Sequence, residues 1–132
     1  MSEQRRSLGP IDLLVRLEWA FLFVLCCAAY ALSGGSGLLF FLLILAPDLS
    51  MLGYLAGPRI GAFAYNLFHA LILPLCLLAF GFLAGQYLAM HIAAIWLAHI
   101  AIDRALGYGL KFSTGFQDTH LGRIGRDRSV NP

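Results

Sequence analysis

Near the end of the last long apolar run, in Trp96-Leu97-Ala98-His99-Ile100-Ala101-Ile102-Asp103-Arg104, a histidine and an aspartate stand four residues apart. On a helix that spacing places His99 and Asp103 on one face. Inside a membrane span both are costly, and such residues face a protein interior or a water-filled cavity rather than lipid. Two earlier apolar runs supply matching groups. Asn66 and His69 are neighbours at the three-residue spacing, and Asp48 follows Pro47, where a helix must kink or break. Asp48, His69, His99 and Asp103 make a mixed nitrogen and oxygen set suited to a divalent metal: zinc, manganese or iron. Around them, Glu18 is the candidate general base for a metal-bound water, and Asn66 can orient a ligand or substrate. Arg59 and Arg104 are candidates to receive an anionic head group. Asp118 and His120, in a polar tail, can fold back as a lid and supply a further ligand or acid.

The elements that must position these residues follow from composition. Of 132 residues, 60% are hydrophobic and only 12% charged, with a mean hydropathy of +0.79. Soluble domains carry about 25% charged residues, so this chain lacks the polar surface to wrap a soluble core. Four apolar runs approach the roughly 20 residues that a membrane-spanning helix needs. They run from Trp19 to Leu32 (with a helix starting at Pro10), Leu38 to Leu55, Ile60 to Ala84 and Tyr87 to about Leu106. The expected fold is all-α, a four-helix transmembrane bundle over residues 10–106. It follows a polar N-terminus of residues 1–9 and precedes an interfacial tail of residues 107–132. Pro47 and Pro74 predict interruptions of the second and third runs. Gly53, Gly57 and Gly61 repeat every four residues, but Pro58 interrupts them, so a tight turn is expected there rather than a dimer motif.

Charge sets the orientation. Arg5, Arg6 and Arg16 precede the first run, Arg59 lies between the second and third, and Arg104, Lys111, Arg123, Arg126 and Arg128 lie at or beyond the end of the fourth. With four passes, all the basic residues fall on one side, which the positive-inside rule makes cytoplasmic. Both termini are then inside. At about 1.5 Å per residue, Glu18, Asp48, Asn66, His69, His99 and Asp103 all lie roughly 3–14 Å from the cytoplasmic boundary. His91 lies near the opposite surface. Asp12 and Glu18 argue against a signal peptide at the N-terminus. Cys26, Cys27 and Cys76 lack metal-type spacing and are expected as small buried hydrophobes. Nucleic acid is not an expected partner, because the basic residues are spread along a membrane face without a recognition motif.

Several stretches resemble the bacterial integral-membrane family catalogued as domain of unknown function 4260. They are Arg16-Leu17-Glu18, Pro47-Asp48-Leu49-Ser50-Met51-Leu52-Gly53-Tyr54, Gly61-Ala62-Phe63-Ala64-Tyr65-Asn66-Leu67-Phe68-His69, the Trp96–Arg104 stretch, Gly107-Tyr108-Gly109-Leu110-Lys111 and Thr119-His120-Leu121-Gly122. The resemblance implies a small multi-pass membrane protein and carries no activity with it. At Asp48, His69, His99 and Asp103 the chain is also similar, more distantly, to LexA-induced inner-membrane metal-dependent hydrolases. That likeness implies a metal and a hydrolysis. The His-Arg-Gly and Thr-His-Ser stretch of those proteins is absent here, and so are the Pro-Ser-Gly-His and Lys/Arg-Pro motifs of lipid phosphatases.

The leading expectation is a membrane-embedded, metal-dependent hydrolase acting on a lipid or amphiphile from the cytoplasmic leaflet. A second is an accessory subunit or scaffold, in a larger membrane complex or homo-oligomer. There the polar network would tie helices together through pairs such as Asp103 with Arg59 or Glu18 with Arg16. A third is a proton or small-solute carrier relaying through His69, His99 and Asp103, against which the opposite half offers only His91 as a polar step.

Overall fold

The computed structural model describes residues 9–111 and 118–123. Residues 1–8, 112–117 and 124–132, with Arg5, Arg6, Arg126 and Arg128, lie outside the described residues. The chain forms four helical rods. The first is α1 (Pro10–Leu32). The second is α2 (Gly37–Leu43) continued by a 3-10 helix (Ala46–Ala56). The third is α3 (Pro58–His69) continued by α4 (Ile72–Ala84), and the fourth is α5 (Tyr87–Leu106). The all-α architecture holds, apart from a two-residue antiparallel hairpin in the tail: β1 (Asp118–Thr119) with β2 (Gly122–Arg123). By length and hydropathy, Gly37–Ala56, Pro58–Ala84 and Tyr87–Leu106 can each cross a membrane. The remaining rod, α1, is 23 residues long and carries Asp12, Arg16 and Glu18 in its first half.

Both prolines act four residues upstream of themselves. A proline ring displaces the carbonyl at i−4 and offers it no N–H. For Pro47 that carbonyl belongs to Leu43, the last residue of α2. For Pro74 it belongs to Ala70, which turns extended (φ −87°, ψ 152°) and separates α3 from α4. The interruption expected at Pro74 therefore falls at Ala70 and Leu71. Beyond the first break the chain tightens, with the Asp48 N–H bonded to the Leu45 carbonyl at 3.0 Å. The Ile44 carbonyl, which an α-helix would give to Asp48, is left for another donor. Eleven residues of 3-10 helix is long for that geometry, which is uncommon beyond 3–4 residues.

The turn between the 3-10 helix and α3 is made by Gly57 at φ +120°. Gly53 and Gly61 serve the packing of these two helices on each other. A Cβ on Gly53 would stand 2.9 Å from that of Ala64, and one on Gly61 would overlap the Tyr54 ring. The glycine repeat is thus one turn residue and two points of close approach within the chain.

At the centre lies α5, flanked by α1, α2 and α4. Its Ala93, Ala98 and Ala101 are fully buried, and small residues let neighbouring backbones approach closely in a membrane bundle. The outward faces carry large apolar side chains such as Phe21, Phe41, Leu55, Phe63 and Leu83. That inside-out distribution suits a hydrocarbon solvent. α5 ends at Gly107 (φ +93°), with Gly107 N–H on the Arg104 carbonyl and Tyr108 N–H on that of Asp103. This Schellman-type ending turns the chain back over the bundle.

Candidate metal centre

The two helix breaks and the end of α5 meet at one level, and there the four expected ligands converge. His69 closes α3, Asp48 stands in the first turn of the 3-10 helix, and His99 and Asp103 share a face of α5. His69 Nε2 lies 3.1 Å from Asp48 Oδ1, 3.5 Å from Asp103 Oδ2 and 3.1 Å from His99 Nε2. His99 Nε2 is 3.2 Å from Asp48 Oδ1 and 3.2 Å from Asp103 Oδ2. One ligand atom from each residue fits within 4.8 Å of all the others. Four donors at about 2.0–2.1 Å around a tetrahedral ion stand roughly 3.3 Å apart. The separations of 3.1–3.5 Å are of this size, so the group could hold a metal ion.

The tautomers are fixed by the backbone. His69 Nδ1 donates to the Tyr65 carbonyl at 2.9 Å, and His99 Nδ1 donates to the Ile44 carbonyl at 2.6 Å. A carbonyl only accepts, so each Nδ1 carries a proton and each neutral ring turns its Nε2 lone pair inward. Two nitrogen lone pairs and two carboxylates then face one another, with both imidazoles about 97–99% buried. Such a cluster of acceptors needs a positive ion or an added proton among them. A metal ion could fill that role, and so could a proton on an imidazole or on a carboxyl group. The nitrogen and oxygen donor set and the carbonyl partners of both Nδ1 atoms are compatible with a metal. Carbonyl partners that orient metal-binding imidazoles are a regular part of metal sites.

The same breaks supply this outer layer. The Ile44 carbonyl, released by Pro47, is the one that orients His99. The His69 carbonyl, at the end of α3, accepts from Arg104 Nη2 at 3.1 Å. The Tyr65 ring stacks on the His69 ring with centroids 3.8 Å apart and planes 9° apart. Lys111 Nζ lies 4.8 Å from the centroid of the Tyr65 ring. Neither Ile44 nor Tyr65 stands out as a site residue in the sequence. For Tyr65 the signal was its place four residues before His69, and for Ile44 its place three before Pro47.

The other candidates fall in different places. Asn66 is committed to the tail: its Nδ2 donates to the Lys111 carbonyl at 2.7 Å and its Oδ1 accepts from the Lys111 N–H at 2.6 Å. Both ends of its amide hold main chain. His120 also belongs to this stitching, since its Nδ1 accepts from the Leu110 N–H at 2.7 Å and its own N–H bonds the Leu110 carbonyl at 2.9 Å. Arg104 Nη1 approaches the His120 ring at 3.4–3.5 Å. The tail therefore does fold back beside the four ligands. Asp118 lies in β1, and its side chain is outside the described residues.

Glu18 is exposed and lines a shallow apolar groove on α1 with Leu14, Leu17, Ala20, Phe21 and Val24; its carboxylate is not among the converging atoms. Arg59 is exposed in the first turn of α3, ten residues and about 15 Å along the axis from His69. Neither Asp103 with Arg59 nor Glu18 with Arg16 forms an ion pair among the described residues. Arg16 instead lies against Gly107, where a Cβ would strike its guanidinium.

Outside the spans, burial pulls Lys111 down to about 8, although Asp103 and Asp48 favour its charged form. His120 is also lowered, by burial and then by the charge of Arg104.

The model of the family described as a domain of unknown function (DUF4260) matches residues 12–124. The chain belongs to this family. All four converging ligands lie within the matched span. No curated protein and no solved structure matches. Nothing among curated proteins or solved structures supports the likeness to LexA-induced hydrolases.

Proposed function

We propose that the protein is a membrane-embedded metal protein that uses a divalent ion, held by Asp48, His69, His99 and Asp103, to hydrolyse a lipid or amphiphile. The convergence of four acceptor atoms with both Nδ1 protons already committed to carbonyls carries this reading. Bound there, a zinc, manganese or iron ion would acidify a water molecule and polarise an ester carbonyl or phosphoryl oxygen. The chain's own part is to hold the ligands rigid: Ile44 and Tyr65 set the ring orientations, and Arg104 ties off the end of α3. The distribution of basic residues supports four passes in a bacterial inner membrane with both termini cytoplasmic, so that the substrate arrives from the cytoplasmic leaflet.

The test is turnover by protein loaded with each of the three ions and offered carboxylic- and phosphate-ester amphiphiles in mixed micelles. Product release that disappears in Asp48→Ala and His99→Ala, with helicity unchanged, is the expected result. Full metal binding without turnover of any ester would remove hydrolysis and leave a metal-stapled scaffold.

A further inference from the structure

The break between α3 and α4 leaves carbonyls to be bonded, and α5 supplies the donors. Beyond His69 the chain turns extended at Ala70, so it departs from the α-helical path before Ile72 and Leu73. In an unbroken helix those two residues would give their N–H groups to the Phe68 and His69 carbonyls. A backbone carbonyl without a partner inside a membrane bundle is costly. Arg104 Nη2 takes the His69 carbonyl at 3.1 Å, and Trp96 Nε1 donates to the Phe68 carbonyl at 2.7 Å. The Trp96 and Phe68 rings also stack, with centroids 5.8 Å and planes 23° apart. Two side chains of one helix thus grip consecutive carbonyls at the end of α3.

Trp96 precedes His99 by three residues and Asp103 by seven, so the three share a face of α5. That face therefore carries two of the four converging residues and a donor for the residue just before a third, His69. The position of His69 Nε2, 3.1–3.5 Å from Asp48, His99 and Asp103, depends on where α3 stops against α5. A slip of one residue would move the backbone about 1.5 Å along the axis and turn the side chain by about 100°. The Tyr65 carbonyl orients the His69 ring within α3, and Asn66 ties α3 to the tail. Neither contact sets α3 against α5. The Arg104 guanidinium is shared between the His69 carbonyl and the His120 ring. An indole has a single N–H and no acceptor, and that of Trp96 is spent on this one carbonyl.

We propose that Trp96 is a positioning residue of the metal centre, whose bond to the Phe68 carbonyl sets His69 within reach of an ion shared with His99 and Asp103. The role rests on the metal reading above. It has a reciprocal consequence: the factor by which the bond tightens ion binding is the factor by which a bound ion strengthens the bond. The experiment uses full-length protein in detergent, without a histidine tag and with 15N-labelled indoles. The two tryptophans, Trp19 and Trp96, give one N–H signal each. Zn2+ affinity is measured by chelator competition, and indole hydrogen exchange is compared between zinc-free and zinc-loaded protein. Loading should slow exchange at Trp96 about fivefold and leave Trp19 unchanged. Trp96→Phe, at equal helicity, should bind Zn2+ about fivefold more weakly, the scale of one neutral hydrogen bond. Phe68→Leu removes the stacked ring but keeps the carbonyl, and should bind nearly as wild type does. The Trp96 indole of the wild type gives its answer whether or not the variants fold. Bound zinc with exchange at Trp96 unchanged, or equal affinity in wild type and Trp96→Phe, would overturn the proposal while the metal centre stands. Phe68→Leu as weak as Trp96→Phe would also overturn it, by assigning the effect to the stacked rings. Failure of the wild type to hold zinc, manganese or iron would overturn the metal reading, and this role with it.

Discussion

α5 carries histidines at both ends, and the two settings differ in a way that separates a structural imidazole from a ligand. His91, near the start of the helix, is half-buried. Its Nε2 shares a 2.9 Å hydrogen bond with the Ser33 hydroxyl, and its ring meets Tyr30 edge-on at 5.1 Å. The hydroxyl gives its own proton to the Tyr30 carbonyl and accepts from His91 Nε2–H, so one neutral histidine satisfies that contact. His99, two turns on, has its Nδ1 spent on a carbonyl and its Nε2 aimed at another imidazole and two carboxylates. Nothing in that second cluster can donate while the rings are neutral. The first site closes with its hydroxyl partner; the second needs an added proton or could hold a metal ion. What distinguishes them is the partner of the far ring nitrogen.

The strongest way to break this comparison is to remove one polar side chain from each end. His91→Ala is expected to leave metal content unchanged, whereas Asp103→Ala should lower it to near background, both read by elemental analysis of purified protein. Equal loss in the two would erase the distinction. Healing the helix break comes next. With Pro47→Ala the backbone can return the Ile44 carbonyl to the Asp48 N–H, taking it from His99. Disturbing such an outer partner typically weakens metal binding by about 10–100-fold, measured by chelator competition. Affinity unchanged in Pro47→Ala would mean that the carbonyl does not orient the ring.

Smaller effects sharpen the contrast. Tyr65→Leu removes the ring stacked on His69 but keeps the carbonyl. A loss of about 3–10-fold in metal affinity is expected from the worth of an aromatic pair, with Tyr65→Phe near wild type. The smallest effect concerns the tail. His120 is held below its ordinary value when docked, so the undocked tail binds more protons between the docked value and 6.5. Docking should therefore weaken as the pH falls through and below that ordinary value. The readout is the Leu110 amide, whose N–H bonds His120 Nδ1. Its hydrogen-exchange protection, corrected for intrinsic rate, should fall from pH 7.5 to 5.5, and that dependence should vanish in His120→Gln.

The four converging residues were legible in the sequence because an ionisable residue in an apolar run is a strong signal, and helix spacing pairs His99 with Asp103. The four rods were legible from hydropathy and length. The angular placement of Glu18 was not: counting residues gives depth, and only packing of α1 on α5 decides which way a side chain turns. Arg59 gave a charge signal without a distance: it stands in the first turn of α3, ten residues from His69 at the other end of that helix. Asn66 gave a polar signal without its partner, since only the returning tail shows that Lys111 takes both ends of the amide. The carbonyls of Ile44 and Tyr65 carry no side-chain signal at all. They become visible only once the proline breaks are located.

The central claim is that the four converging atoms surround a metal ion. Elemental analysis of untagged protein, purified in detergent and exchanged into metal-free buffer, tests it most directly beside a His69→Ala/His99→Ala variant of matched helicity. Near-stoichiometric zinc, manganese or iron in the wild type and none in the variant is the predicted result. No ion in either, even after incubation with each metal, would show that a protonated imidazole fills the space and that the centre is a structural ion-pair network.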